Sequence, residues 1–148
     1  MTDTHIAEAP PVAGAFKRLT EQECRELLEV SVIGRIAFRG AEGLELLPLN
    51  FVFLSGCVFA RVDRASVFGD LAGGADEVVF QTDYHEDMFR KAWSVSVKGR
   101  IDEVTDEIEL AALSSRRQLM PWAIGERNLY LRLTPVVFSG RKVVRYAR

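Results

Sequence analysis

The sequence predicts a mainly β fold, an antiparallel barrel carrying peripheral helices. Three observations lead there. Short runs rich in Val, Phe, Leu and Ile recur along the chain, separated by glycine-bearing turns at 39–43 and at Ser55-Gly56. Several runs alternate apolar and polar residues, notably Trp-Ser-Val-Ser-Val at 93–97 and Leu-Tyr-Leu-Arg-Leu at 129–133, as half-buried antiparallel strands do. The helical segments are too few and irregular for a βαβ sheet, and no GxGxxG or P-loop sequence occurs.

Taken in order, residues 1–16 read as a flexible arm, because Pro10-Pro11 and the small residues around them bury too little surface to order it. That leaves 17–148 as one domain. A helix starts after Leu19, with Thr20 as cap, Glu23 three residues on, and Cys24, Leu27 and Leu28 as its apolar stripe. It ends at 31–34, where the run Gly-Arg-Ile-Ala-Phe (34–38) opens a strand. The turn at 39–43 leads into the strongest β signal, a hairpin of 46–54 and 58–62 around Ser55-Gly56. Pro48 within the first arm requires that strand to be an edge, bulged or restarted. Ser66 can cap a short helix ending at Gly73-Gly74. A strand follows at 77–82, then a polar excursion at 84–92 that fits a loop, then a strand from 93 through 101. Thr105 is a candidate cap for a helix burying Leu110, Ala111 and Leu113. A loop at 120–125 precedes the strand at 129–133 and a final strand interrupted by a turn or bulge at Ser139-Gly140. The sum is about six or seven strands with short helices inserted.

Composition bounds the function. The chain has 148 residues, 48% hydrophobic and 27% charged, enough for a real core and too apolar for disorder. A net charge of −2 favours neither nucleic acid nor an anionic membrane as partner. No apolar run approaches the ~20 residues that span a bilayer. The N-terminal stretch lacks the basic and apolar blocks of a signal peptide, and Cys24 and Cys57 stand apart without CxxC spacing, as free buried thiols in a reducing compartment do. The expectation is a cytoplasmic protein.

Few residues offer chemistry. The hairpin holds Asn50 among apolar neighbours, and Arg61, Arg64 and Ser66 follow its second arm. An amide and two guanidinium groups near the start of a helix can hold a polar ligand with a phosphate; equally, this can be a core hairpin with a solvated basic loop. Arg127 can meet an anion or pair on the surface with a neighbouring carboxylate. His85, between Tyr84 and Glu86-Asp87, reads as a solvated turn, and the other histidine, His5, lies in the arm. Neither a metal site nor a Ser/Cys–His–Asp set can be assembled. An enzyme built this way needs a cofactor to carry the chemistry.

The ordered set of segments LTEQECRELL, VIGRIAF, LPLNFVFLSGCVFA, WSVSVKGRIDEV and LMPWAIGERNLYLRLTPVVFSGR resembles the pyridoxamine 5′-phosphate oxidase-like family of flavin-binding split barrels, in its short actinobacterial form. The resemblance spans about residues 19–141. It implies an antiparallel split β-barrel and a homodimer that binds FMN in grooves between subunits, acting as an oxidoreductase on a small-molecule substrate. It also leaves open an F420-dependent reductase and a flavin- or haem-binding module without turnover. By analogy Pro48, Leu49, Asn50 and Phe51 lie along the isoalloxazine ring. Arg61, Val62, Arg64, Ser66 and Val67 lie toward the ribityl chain and phosphate, with backbone donors at a helix start near Ser66. Trp122 and Arg127 approach from the other subunit. One departure stands out. The family's Ser/Thr-Lys pair at the start of that helix is replaced by Ala65-Ser66-Val67-Phe68, without a lysine. Either Arg61 or Arg64 substitutes for it, or the site has lost affinity for FMN.

Overall fold

In the structure, a computed structural model, residues 15–120 and 127–144 are described. Eight antiparallel strands form one curled sheet: β1 (Ala15–Arg18), β2 (Ile33–Gly40), β3 (Gly43–Asn50), β4 (Val52–Leu54), β5 (Cys57–Val62), β6 (Ala75–Glu86), β7 (Lys91–Glu103) and β8 (Leu129–Val144). The order across the sheet is β3-β2-β6-β7-β8-β5-β4, with β1 added along the C-terminal part of β8. Two helices, α1 (Glu21–Val30) and α2 (Glu107–Ser114), and a 3₁₀ turn at Val67–Leu71 pack around it. This is the mainly β, half-barrel architecture that the alternating runs imply.

Local chemistry explains the elements. Thr20 and Glu23 form a reciprocal capping box at the start of α1, each side chain accepting the other's backbone N–H at 3.1 Å. Cys24 and Leu28 are then buried against the barrel. Ser55 and Gly56 both take positive φ, 50° and 78°, as a two-residue turn matched to strand twist requires. Leu54 and Cys57 accordingly pair directly across it. Alternation sets the core: Ile36, Phe38, Val78, Phe80, Val95 and Val97 point inward from β2, β6 and β7, with Leu129, Leu131 and Leu133 from β8. On the other side of β4 and β5, Val52 and Phe59 pack with Val104, Leu113 and Leu119 beneath α2.

Several expectations change. Residues 46–54 do not form one hairpin arm. The run breaks at Phe51, whose N–H bonds the Val32 carbonyl at 3.0 Å. β3 pairs with β2, and β4 pairs with β5. Pro48 is tolerated because β3 is an edge strand with β2 as its partner. Ala15 and Phe16, read as the end of the arm, begin β1; the rest of the arm lies outside the described residues. The polar segment 84–92 is not a loop but the tip of a β6–β7 hairpin, with Tyr84 paired to and stacked on Trp93. Asp106, not Thr105, caps α2 by accepting the Glu109 N–H, and Ala111 is exposed while Leu113 is buried. Ser139 and Gly140 run straight through β8, paired with Ser96 and Val95; the irregularity lies instead opposite Lys98/Gly99. Cys24 is buried, but Cys57 is only half-buried.

Candidate functional site

The break after β3 creates the site. Pro48, Leu49 and Asn50 end that strand and form one wall of a groove of about 280 Å³. Arg61 and Val62, which end β5, and Asp63 just beyond it line the groove beside them. Ser66 and Phe68 close one side, and Leu119, Met120 and Arg127 close the other. A strand end, a tight loop and the segment after α2 thus converge from three distant parts of the sequence.

Arg61 is half-buried and held in place. Its Nε donates to the Arg127 carbonyl at 2.6 Å, and its guanidinium lies 5.3 Å from the centre of the Tyr130 ring. Among the described residues its two terminal nitrogens make no hydrogen bond. Asn50 is half-buried; its carboxamide makes no hydrogen bond among the described residues and is not sealed from solvent, so a donor and an acceptor are both available at the groove. Arg127 contributes a second cation.

The loop between β5 and the 3₁₀ turn is closed on itself. The Ala65 N–H bonds Asp63 Oδ1 at 2.9 Å, and the Ser66 N–H bonds the Asp63 carbonyl at 3.1 Å. The Ser66 hydroxyl donates to that same carbonyl at 2.6 Å and accepts the Phe68 N–H at 3.2 Å. The Gly69 N–H bonds the Ser66 carbonyl at 2.9 Å, and the Arg64 N–H bonds Asn128 Oδ1 at 3.1 Å. Gly69 is required here, since a Cβ would come within 2.0 Å of the Arg64 carbonyl oxygen. The backbone donors expected for a phosphate near Ser66 are therefore largely engaged within the loop. A five-residue 3₁₀ turn also has little of the dipole of a longer helix.

Of the residues singled out in the sequence, Pro48, Leu49, Asn50, Arg61, Val62, Ser66 and Arg127 border the groove. Phe51 does not: its side chain is wholly buried, edge-on to Phe80 with centroids 4.6 Å apart. Arg64 is turned away, its guanidinium paired with Glu103, which raises its pKa further above the ordinary arginine value. Val67 faces solvent outside the groove, 39% exposed. Trp122 lies outside the described residues. The residues missed are Asp63, Phe68, Leu119 and Met120. Asp63 looked like part of a solvated basic loop, and Leu119 and Met120 carry no polar signal. His85 pairs with Asp87 at 3.1 Å on the exposed hairpin tip, and among the described residues no cluster of three metal-ligating side chains occurs.

α2, whose C-terminal extension carries Leu119 and Met120, is tied to the sheet by charge. Arg132 on β8 donates to both oxygens of Glu109 at 2.8 and 2.9 Å and to Asp102 at 3.0 Å. The two hydrogen-bonded carboxylates raise the Arg132 pKa above its ordinary value.

The comparisons with known proteins concern the family and the fold. A family profile described as pyridoxamine 5′-phosphate oxidase matches residues 20–142. An uncharacterised protein of Mycobacterium tuberculosis is 27% identical over 144 residues, covering 95% of this chain and 93% of that relative. The solved structure of an FAD-binding protein from Mycobacterium smegmatis is similar with a TM-score of 0.70 at 27% identity, over 87% of this chain and 98% of that one. An FAD- and haem-binding protein of the same organism has a TM-score of 0.69 at 14% identity, covering 89% and 76%, a likeness of fold alone.

Proposed function

The chain belongs to the pyridoxamine 5′-phosphate oxidase family, and from that membership we propose that it is a flavin-binding oxidoreductase whose cofactor lies in the groove between the end of β3 and the end of β5. The observation that carries this reading is the donor set. A flavin has a flat apolar ring, a polar edge and an anionic tail. The groove offers apolar faces from Pro48, Leu49, Phe68 and Leu119, an unpartnered carboxamide at Asn50, and the open guanidinium face of Arg61. These residues fit the group. The similarity to an FAD-binding protein at 27% identity supports a flavin over F420.

In this reading Asn50 orients the ring by its polar edge, Arg61 holds the phosphate, and the wall of Leu119 and Met120 keeps water from the ring. A bound flavin supplies hydride or single-electron transfer. Among the described residues the groove is bordered by one carboxylate, Asp63, and by no histidine, cysteine or lysine. The chain's part is therefore to bind, orient and shield rather than to supply a nucleophile.

We further propose that the working unit is a homodimer. The groove of one chain, about 280 Å³, falls just below the ~300–1,000 Å³ of sites that enclose such a ligand. A second chain would complete it. The outward side of the sheet carries a row Leu46, Ala37, Val79, Lys98 and Val137 across five strands, flanked by Leu44 and Val136. Leu44, Leu46 and Val136 are 75%, 68% and 73% exposed, an unusual apolar band for a lone barrel.

The test is a titration of the purified chain with riboflavin, FMN and FAD, followed by flavin fluorescence and the visible spectrum. Saturable binding with a perturbed flavin band is expected. A protein that takes up none of the three, or shows a haem Soret band instead, overturns the assignment.

A further inference from the structure

We propose that Asp63 is a built-in counter-anion that weakens the groove's hold on ligands ending in a phosphate monoester; the inference rests on the flavin reading above and concerns how tightly the groove takes one flavin against another. Arg61 and Asp63 border the same groove, two residues apart at the end of β5. The carboxylate already does part of what a ligand phosphate does in an anion-binding loop. Its Oδ1 takes the Ala65 N–H at 2.9 Å, and the carbonyl of the same residue takes both the N–H and the hydroxyl of Ser66. A phosphate arriving here therefore meets few unengaged backbone donors in this loop.

Charge limits the effect to a weakening. The described residues bordering the groove carry two cations, Arg61 and Arg127, against one carboxylate. Arg64, the other cation of the loop, is paired with Glu103. A phosphate monoester near neutral pH carries almost two negative charges. It would be attracted by Arg61 and repelled by Asp63, both of which line the same groove. Hydroxyl groups meet the opposite situation, because a carboxylate oxygen not engaged by Ala65 can accept from them. Asp63 thus weakens, without cancelling, the pull of Arg61 and Arg127 on a terminal phosphate, and leaves the hold on the ring and ribityl part of a flavin unaffected.

Asp63→Asn tests this directly, since an amide oxygen can still accept the Ala65 N–H while the charge is removed. FMN affinity is expected to rise about tenfold, the effect of removing one unit charge a few ångströms from the phosphate. Riboflavin affinity is expected to change by less than about twofold, as no charge on that ligand is involved. Asp70→Asn is the control for net charge, because Asp70 lies away from the groove and bonds the Ala41 N–H at 2.9 Å. Should Asp63→Asn melt early, Asp63→Ser retains an acceptor and replaces it. An unchanged FMN-to-riboflavin ratio in the Asp63 variant, or an equal rise in Asp70→Asn, overturns the inference while leaving flavin binding intact. If neither flavin binds any variant, the functional reading fails. The melting-temperature gain with inorganic phosphate then still decides the role of Asp63: a larger gain in Asp63→Asn than in the parent supports it, and equal gains refute it.

Discussion

Replacing Arg61 by alanine separates a cofactor contact from a structural one. The side chain does two things that can be read independently. Its Nε holds the Arg127 carbonyl at 2.6 Å, joining the end of β5 to the segment before β8. The side chain also borders the groove, and its terminal nitrogens have no partner among the described residues. Losing the first contact removes one hydrogen bond of a half-buried group, worth about 1 kcal/mol, and should lower the melting temperature by about 2–6 °C. Losing the second removes a charge-assisted contact to phosphate, worth about 2 kcal/mol, or roughly a thirtyfold weaker Kd for FMN. Riboflavin, which lacks the phosphate, should bind the variant within about threefold of the parent, a difference of less than 1 kcal/mol. Fluorescence titration with both flavins, beside a melting curve without ligand, reads each effect. Equal loss of affinity for the two ligands would falsify the assignment and make Arg61 a purely structural residue. Arg61→Lys sharpens the comparison: it keeps the charge but not the fork, so FMN affinity should return in part.

Three further outcomes are expected. Asn50→Leu should leave the ligand-free melting temperature nearly unchanged, because its carboxamide bridges nothing among the described residues, while flavin affinity falls about tenfold; a loss of ~1–3 kcal/mol in the ligand-free protein with normal affinity would assign Asn50 to the fold instead. Sedimentation at micromolar concentration should give a dimer, and Leu46→Glu should split it and weaken flavin binding together; a monomeric parent that binds flavin normally would refute the shared groove. Accepting the Thr20 N–H, first among its contacts, lowers the Glu23 pKa in the folded state. Its stabilising contribution is therefore complete above the ordinary glutamate value of about 4.3 and fades as pH falls through the lower folded value. Glu23→Gln, which keeps the capping box, should flatten that part of the pH–stability curve, and a curve of unchanged shape would show that the cap does not titrate.

Much of the fold was legible because its signals are local. The Thr20–Glu23 box, the Ser55-Gly56 turn and the alternation at 93–97 each need only neighbouring residues to be recognised. The failures have a shared physical cause, which is that hydrogen-bonded ladders extend beyond the apolar core. Residues 84–86 and 91–92 continue the β6–β7 ladder with His85, Glu86 and Lys91 among them, so no apolar alternation marks them. Gly140 looked like a turn, yet it keeps strand pairing with Val95, and a Cβ there would meet Cys24 Sγ and Leu19 Cδ1 at 2.9 Å. Its glycine serves the close approach of α1 rather than a change of direction. In the groove, Pro48, Asn50 and Arg61 were conspicuous as misfits in an apolar hairpin. Asp63 was not, because a carboxylate beside an arginine in a loop is ordinary until its hydrogen bonds are seen.

The groove and the closure of the barrel have one origin. The segment 43–54 leaves β2 as β3, gives up its pairing at Phe51, and resumes as β4 on the far end of the same sheet, against β5. A chain that changes partners must bury something at the crossing. Phe51 does so, with its ring against Phe80 and its N–H on the Val32 carbonyl. The residues just before it are paired with β2 on one side only, at the edge of the sheet. Pro48 can stand there because it offers no donor to be left unpaired, and Asn50 can stand there because the opening leaves its carboxamide within reach of water or a ligand. The misfit residues and the strand break therefore have a common explanation: the sheet is interrupted where the site is, and the core residue that fixes the interruption also fixes the wall of the groove.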